Sequence, residues 1–459
     1  MKNWWAIYLL TLRAALRERV AWSMLALVAG VLILLPLGLR GDGTLSGELR
    51  MHIRYSIGLS AGLLAAMTLW VSCASVAGDL SSKRLHMVLT KPVSRAALWW
   101  GKWLAVSTLS VGLLFVCGFV TLFRVNGVVR GAAAEKTPEE LRVLRDTVLT
   151  ARRPEAPEAE DLTEEVEARL REELRTSVLP PGVTEEMLRR EIELLLLALR
   201  NSARQDQTVR WEYALSAPVG TEEDLQLAYR FDGASMGAVR VPGEWRVGTP
   251  ETPDLFTRRV EQSPSGEYVL HLNEDGRFDG AARIVVAFVN QSEAGDMVFF
   301  RPGDGVMLYR PGGSFAPNFL RALGLLSGLL ALLAALGVSS GCLFSLPVAC
   351  YVTSVMLVMR GFAGTVEQAL EEGTPLSRME DPGVLVRVFN SVSMTMYRGV
   401  HMVLRPLDLD SPLERVANGV LISGSELAGV LVLRMLPVLL LIAGGGIFLF
   451  HKREAGVAE

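Results

Sequence analysis

Residues 322–359 read ALGLLSGLLALLAALGVSSGCLFSLPVACYVTSVMLVM, 38 positions without one Asp, Glu, Lys or Arg. A helix that crosses a bilayer needs about 20 apolar residues, so this stretch is long enough for two. The break is expected at Gly337-Val338-Ser339-Ser340-Gly341, which makes the stretch a tight helical hairpin. Four more stretches are equally free of charge: 20–39, 55–78, 103–123 and 435–450. The first three hold 20, 24 and 21 residues and fit one helix each. The last extends back to Ala428 if it takes in Arg434, whose long side chain can reach the interface. The sum is six membrane spans, which puts both termini on one side.

The whole chain agrees with this reading. Its 459 residues are 50% hydrophobic and 21% charged, with mean hydropathy +0.32. A cytosolic globular protein and a disordered chain are both excluded. The net charge of −3 leaves nothing to neutralise phosphates, so nucleic acid is not a partner. Cys73, Cys117, Cys342 and Cys350 all fall in apolar stretches, which excludes a disulfide framework. The first apolar run starts only at Val20, spans 20 residues and lacks a small-residue cleavage site. It is read as an anchor and not as a signal peptide.

Orientation follows from the basic residues of the short segments. Lys2, Arg13, Arg17 and Arg19 precede the first span, and Lys83, Arg84, Lys91, Arg95 and Lys102 follow the second. Lys452 and Arg453 close the last. The polar segment 124–316 has 24 basic against 34 acidic residues. The termini and the 79–100 loop are therefore expected in the cytoplasm, with 124–316 and 361–427 outside.

The outward segment 124–316 is expected to be an inserted α+β domain. Its first part, 135–205, reads as helices: Thr137-Pro138-Glu139-Glu140 is a capping signal with proline at the first helical position. Asp161 to Glu164 repeats it, and 184–203 is periodic. From 208 to 312 the period becomes two. Strands are expected at 211–215, 225–231, 268–272, 284–290, 298–301 and 306–309. Asp304-Gly305 is a hairpin signal between the last two. Short strands with regular turns suggest a β-sandwich.

The stretch DLSSKRLHMVLTKPVSR at 79–95, followed by Gly101-Lys102, is the candidate functional site. Leu85, Val88 and Leu89 share one face of a short amphipathic helix, Pro92 breaks it, and a second helix enters the membrane at Trp103. A basic helix lying along the membrane can dock in a groove of a cytoplasmic partner. The same pattern is equally a topology signal with no partner.

That loop resembles the ABC-2 type permease family, the membrane subunits of ATP-binding-cassette transporters. The residues that carry the resemblance are Asp79, the Lys83-Arg84-Leu85 group, Val88-Leu89, Lys91-Pro92-Val93-x-Arg95 and Gly101-Lys102. The carboxy terminus is also similar: Leu404-Arg405-Pro406 and a last span closing Phe450-His451-Lys452-Arg453-Glu454. Within the family the chain is similar to the subgroup of nitrous-oxide reductase maturation and gliding-motility permeases. The resemblance covers 1–123 and 317–459, and the domain at 124–316 departs from it. It implies a multi-pass bacterial inner-membrane half-transporter with an interfacial elbow helix before the first span. It also implies dimerisation with a second copy or a paralogue, and a separate ATPase docked on Asp79, Lys83, Arg84, Leu85, Leu89, Lys91, Pro92, Arg95, Gly101 and Lys102. External residues 361–427 are implied to form short re-entrant helices.

Other chemistry is weaker. No Gly-x4-Gly-Lys-Ser/Thr phosphate loop exists, so ATP hydrolysis falls to another chain and this one is read as non-catalytic, without cofactor. Leu326-Ser327-Gly328 and Ile422-Ser423-Gly424 echo a signature loop but read as packing positions. The spans hold no Asp or Glu, which argues against ion coupling. Met394, Met396, His401 and Met402 invite a soft-metal reading, while methionine at helical spacing is more often packing. Gly58 and Gly62 are a small-xxx-small pair that suits close helix approach. Two function classes remain: export of a substrate, and transmission of ATPase strokes through the outward domain to an envelope partner.

Overall fold

The computed structural model describes residues 2–38, 45–81, 94–135, 138–158, 161–176, 185–221, 223–233, 240–264, 266–273, 275–292, 297–303, 305–361 and 411–452. The chain divides into two compact units. One is built from 1–151, 313–373 and 391–459, and the other from 152–312 with 374–390.

The first unit is helical. Helix α1 (Lys2–Ala15) meets α2 (Arg19–Gly38) at a 65° bend. Helices α3 (Leu45–Ser81) and α4 (Arg95–Glu135) follow, 37 and 41 residues long, then α5 (Pro138–Thr147). Charged residues beyond the apolar runs stay helical, so α3 and α4 outlast the stretches 55–78 and 103–123. After the second unit come α8 (Phe315–Leu343), α9 (Leu346–Gly361), α10 (Pro412–Ala417) and α11 (Gly424–Lys452). Among the described residues four helices (α3, α4, α8 and α11) are long and apolar enough to cross a membrane, or five if the bent pair α1–α2 is one span. The chain is a membrane protein by that measure. The fifth of the six expected spans, α9, has only 16 residues.

The expected break at Gly337–Gly341 is not where the chain turns. Helix α8 runs through it and stops at Phe344, whose backbone is extended, just before Leu346-Pro347 opens α9. The glycines serve close approach instead. A Cβ at Gly337 would overlap the Ser72 hydroxyl, and one at Gly341 would lie 2.9 Å from the Cys73 carbonyl oxygen. Both contacts are with α3. Gly328 likewise faces Met435 and Leu431 of α11, which agrees with its reading as a packing position.

Prolines inside the helices are compensated locally. Pro36 has no amide to bond the carbonyl of Leu32 four residues back, and Arg124 of α4 donates to that oxygen from Nη1 at 2.6 Å. Ahead of Pro437, α11 widens into a π-helical turn at Val430–Met435, and the Leu436 amide bonds Leu431 O.

The second unit has its own core. Helices α6 (Thr163–Thr176) and α7 (Glu185–Arg200) pair through Leu162, Val166, Leu170 and Ile192, with Arg189–Glu167 and Arg200–Glu165 ion pairs at 2.5 and 2.7 Å. Asp161 caps α6 by accepting from the Thr163 amide at 3.0 Å. The strands are β1 (Thr150–Glu155), β2 (Ser202–Ala203), β3 (Thr208–Ala214), β4 (Gln226–Gly233), β5 (Val241–Gly248), β6 (Phe256–Gln262), β7 (Glu267–His271), β8 (Arg283–Asn290), β9 (Val298–Phe300) and β10 (Val306–Ser314). One sheet runs β1-β10-β4-β9-β2 with β7 beside β4, and the other β3-β8-β5-β6. The sheets meet across aromatic contacts: Trp245 of β5 lies 4.5 Å from the Tyr229 ring of β4 and 5.7 Å from Phe300 of β9.

Two expectations change here. Strand β1 lies between α5 and α6 and pairs with β10, so the helical and β parts interleave. The Asp304-Gly305 hairpin does not form: β9 and β10 both run antiparallel to β4, on Phe231–Gly233 and Gln226–Tyr229 respectively, and so point the same way. Gly305, between the two strands, accepts from the Arg230 amide of β4 at 2.8 Å.

Arg310 ties the start of this unit's loops together. It grips Glu223 through Nε at 2.8 Å and Nη2 at 2.7 Å, and donates to Ala217 O at 2.6 Å. The Arg310 guanidinium holds the Glu223 carboxyl below its usual range. A depressed carboxyl pKa stabilises the fold above the unfolded value of about 4.3 and is lost as pH falls through the folded value. Glu223→Gln is therefore expected to cost about 3 kcal/mol at pH 7, since both partners are mostly buried. The penalty should shrink as pH falls below the unfolded value toward the folded one. Urea unfolding followed by near-ultraviolet circular dichroism across pH 3–7 checks this. A penalty independent of pH would refute it.

Candidate coupling site

Four of the ten sequence-predicted site residues lie among the described ones: Asp79, Arg95, Gly101 and Lys102. Lys83, Arg84, Leu85, Leu89, Lys91 and Pro92 lie outside the described residues, as do Met394, Met396, His401 and Met402. The four described residues gather at one end of the helical unit, where α3 ends and α4 begins.

Ser94 starts α4 by accepting the Ala97 amide at 3.1 Å, the usual cap for orphan amides of a first helical turn. Two turns on, Lys102 is buried to 4% side-chain exposure and its ammonium reaches back to α3. It donates to Asp79 Oδ2 at 2.5 Å and to the Ser75 carbonyl oxygen. A buried ammonium without such partners costs several kcal/mol, so this contact fixes the spacing of α3 and α4.

The other two residues extend the tie. Gly101 is a point of close approach to α1: an added Cβ would meet Ile7 Cγ2 at 3.0 Å and Trp4 O at 3.1 Å. Arg95 donates to the Phe450 carbonyl oxygen near the end of α11, and its guanidinium lies 5.2 Å from that ring's centroid. Basic groups favour the free carbonyls at a helix carboxy terminus.

Comparison with known protein families, curated proteins and solved structures finds no match for this chain.

Residues that sequence reasoning passed over complete the cluster. Trp99 is fully buried and donates from Nε1 to Ser339 Oγ at 3.1 Å, and that hydroxyl donates to Ile442 O at 3.3 Å. The path joins α4 to α8 and α11. Trp103 donates to Ala331 O at 2.9 Å, and the Trp99 and Trp103 rings stack at 6.2 Å. The signal was visible as the WWGKW run at 99–103: three indoles around a glycine and a lysine need hydrogen-bond partners at a membrane edge. Ala335, Val338, Cys342 and Ala443 fill the space around these groups. One end of the unit thus joins α1, α3, α4, α8 and α11.

Asp79→Ala is expected to destabilise the full chain in detergent by about 1–3 kcal/mol. That is less than a fully buried pair loses because Asp79 is 39% exposed. Adding Lys102→Met should recover part of the loss by removing the stranded charge. Thermal unfolding of both variants is the measurement, and a double variant less stable than Asp79→Ala would refute the pairing.

Proposed function

We propose that this chain is the membrane-spanning subunit of an ABC-2 type ATP-binding-cassette exporter, driven by a separate ATPase subunit that engages residues 79–95. The observation that carries the reading is the buried Lys102–Asp79 contact, which joins the helices on both sides of that loop. A push delivered there reaches α3 and α4 together, α11 through Arg95, and α8 through Trp99 and Ser339. Resemblance in the loop and at the carboxy terminus supports the same assignment. In this reading α2, α3, α4, α8, α9 and α11 are the six spans and both termini are cytoplasmic. The protein sits in a bacterial inner membrane as a dimer with a second copy or a paralogue.

The second reading, stroke transmission to an envelope partner without translocation, is favoured by the separate aromatic core of the β-rich unit. A domain that folds around its own core can bind a partner while the helices move.

The test is co-expression of the tagged full chain with ATP-binding-cassette subunits from its own genome, purification in mild detergent and measurement of ATP hydrolysis. A stoichiometric, hydrolysing complex supports the assignment. Purification of the chain free of every such subunit overturns it. Reconstitution of the complex into sealed vesicles then separates the two readings by whether any solute crosses with hydrolysis.

A further inference from the structure

We propose that the exposed face of α1 and its bend into α2 form a binding site for anionic phospholipid headgroups. Within residues 1–38 the charges are Lys2, Arg13, Arg17, Glu18 and Arg19. Arg13, Arg17 and Arg19 are exposed, and none has an ion-pair partner among the described residues. Arg13 and Arg17 lie one turn apart, and Arg19 opens α2, whose first turn has no acid. The positive end of the α2 dipole therefore adds to three guanidinium groups, each with a planar fork that suits phosphate oxygens.

The apolar side chains around them point to a lipid as the source of that phosphate. Trp5 is 50% exposed and stacks on Tyr8 with ring centroids 4.8 Å apart. Leu10, Leu16 and Trp22 are 65%, 49% and 59% exposed. Trp22 donates to the Leu16 carbonyl oxygen at 2.8 Å, which holds its ring over the bend. Indoles, a phenol and leucines interleaved with arginines match the boundary between headgroups and acyl chains. The 65° bend turns α1 away from the axis of α2, as a surface-lying helix requires when α2 crosses. A topology signal needs only basic charge and implies no choice between lipids. Three arginines without an ion-pair partner among the described residues, beside a ring platform, do imply one, because phosphatidylcholine carries a choline next to its phosphate and phosphatidylglycerol does not.

The inference requires that the chain is a membrane protein but not that an ATPase drives it. Its test contains no ATPase, so either reading can fail alone. The full chain in a non-ionic detergent is titrated with acyl-chain-labelled phosphatidylglycerol and competed with unlabelled phosphatidylglycerol, phosphatidylcholine or inorganic phosphate. Phosphatidylglycerol is expected to compete and the other two are not. Each arginine near an anionic surface accounts for about a fivefold change, so Arg13→Gln, Arg17→Gln and Arg19→Gln together should weaken binding about a hundredfold. Lysine at all three positions should keep most of it. If the triple glutamine variant does not elute as the wild type does, the single Arg17→Gln variant should still show the fivefold loss. Equal competition by phosphatidylcholine, competition by inorganic phosphate, or unchanged binding by folded glutamine variants would each overturn the proposal.

Discussion

Trp245→Ala is expected to unfold the β-rich unit. The indole is fully buried, and the rings of Tyr229, Phe288, Phe300 and Trp211 surround it at 4.5, 4.9, 5.7 and 6.0 Å. These neighbours come from both sheets, so no single strand can move to close the space. Truncating a tryptophan in such a core costs about 3–5 kcal/mol, a large share of the 5–15 kcal/mol that holds a typical domain together. The fragment 152–312 has its own core and no cysteine, and is expected to fold alone without metal or reductant. Its near-ultraviolet circular dichroism should be strong in the wild type and lost in Trp245→Ala. Tyr268→Ala, at a more open ring beside the same cluster, should be milder. A Trp245→Ala fragment that keeps its aromatic signal and resists protease like the wild type would show that the two sheets hold together without the ring.

The two-unit organisation was legible because lipid-crossing helices exclude charge over long runs and the sheet strands alternate. What escaped has physical causes. Gly337 and Gly341 looked like a break because glycine is a poor helix former, yet tertiary packing against Ser72 and Cys73 outweighs that preference. Strand β5 contains Pro242, Gly243 and Gly248, and β6 carries Thr257, Arg258, Arg259 and Glu261, so neither shows a period of two. β6 is the sheet edge, where charged side chains are tolerated and discourage further pairing. Apolar character alone starts the last span at Ala428, whereas Ser423 and Glu426 form a capping box that begins the helix at Gly424. Of the site, Asp79, Arg95, Gly101 and Lys102 were legible as charge and glycine beside an apolar boundary. Ser339, Ile442 and Phe450 were not, because Ser339 and Phe450 reach Trp99 and Arg95 from more than 200 positions away and Ile442 reaches Ser339 from 103.

If the proposed ATPase docks on the 79–95 loop, replacing Leu85 and Leu89 with aspartate should abolish that association while leaving membrane insertion intact. Both leucines lie in the loop between α3 and α4, outside the apolar runs, so the change does not touch a span. At four-residue spacing they would share one face of the amphipathic helix expected from the sequence. Two carboxylates there would replace the apolar anchors of a docking helix with charges that desolvation penalises. Arg84→Ala should be much milder, because an exposed ion pair contributes only about 0–1 kcal/mol. The buried Lys102, two turns inside α4, holds that helix to α3. In the proposed role, docking and force transfer are therefore separable. Asp79→Ala should keep the ATPase bound but uncouple its hydrolysis from the helices, whereas the double aspartate variant should lose the ATPase itself. Co-purification measures the first step and substrate-stimulated hydrolysis the second. If the double aspartate variant retains the ATPase at wild-type yield, the basic loop is a topology signal and the coupling assignment loses its physical basis.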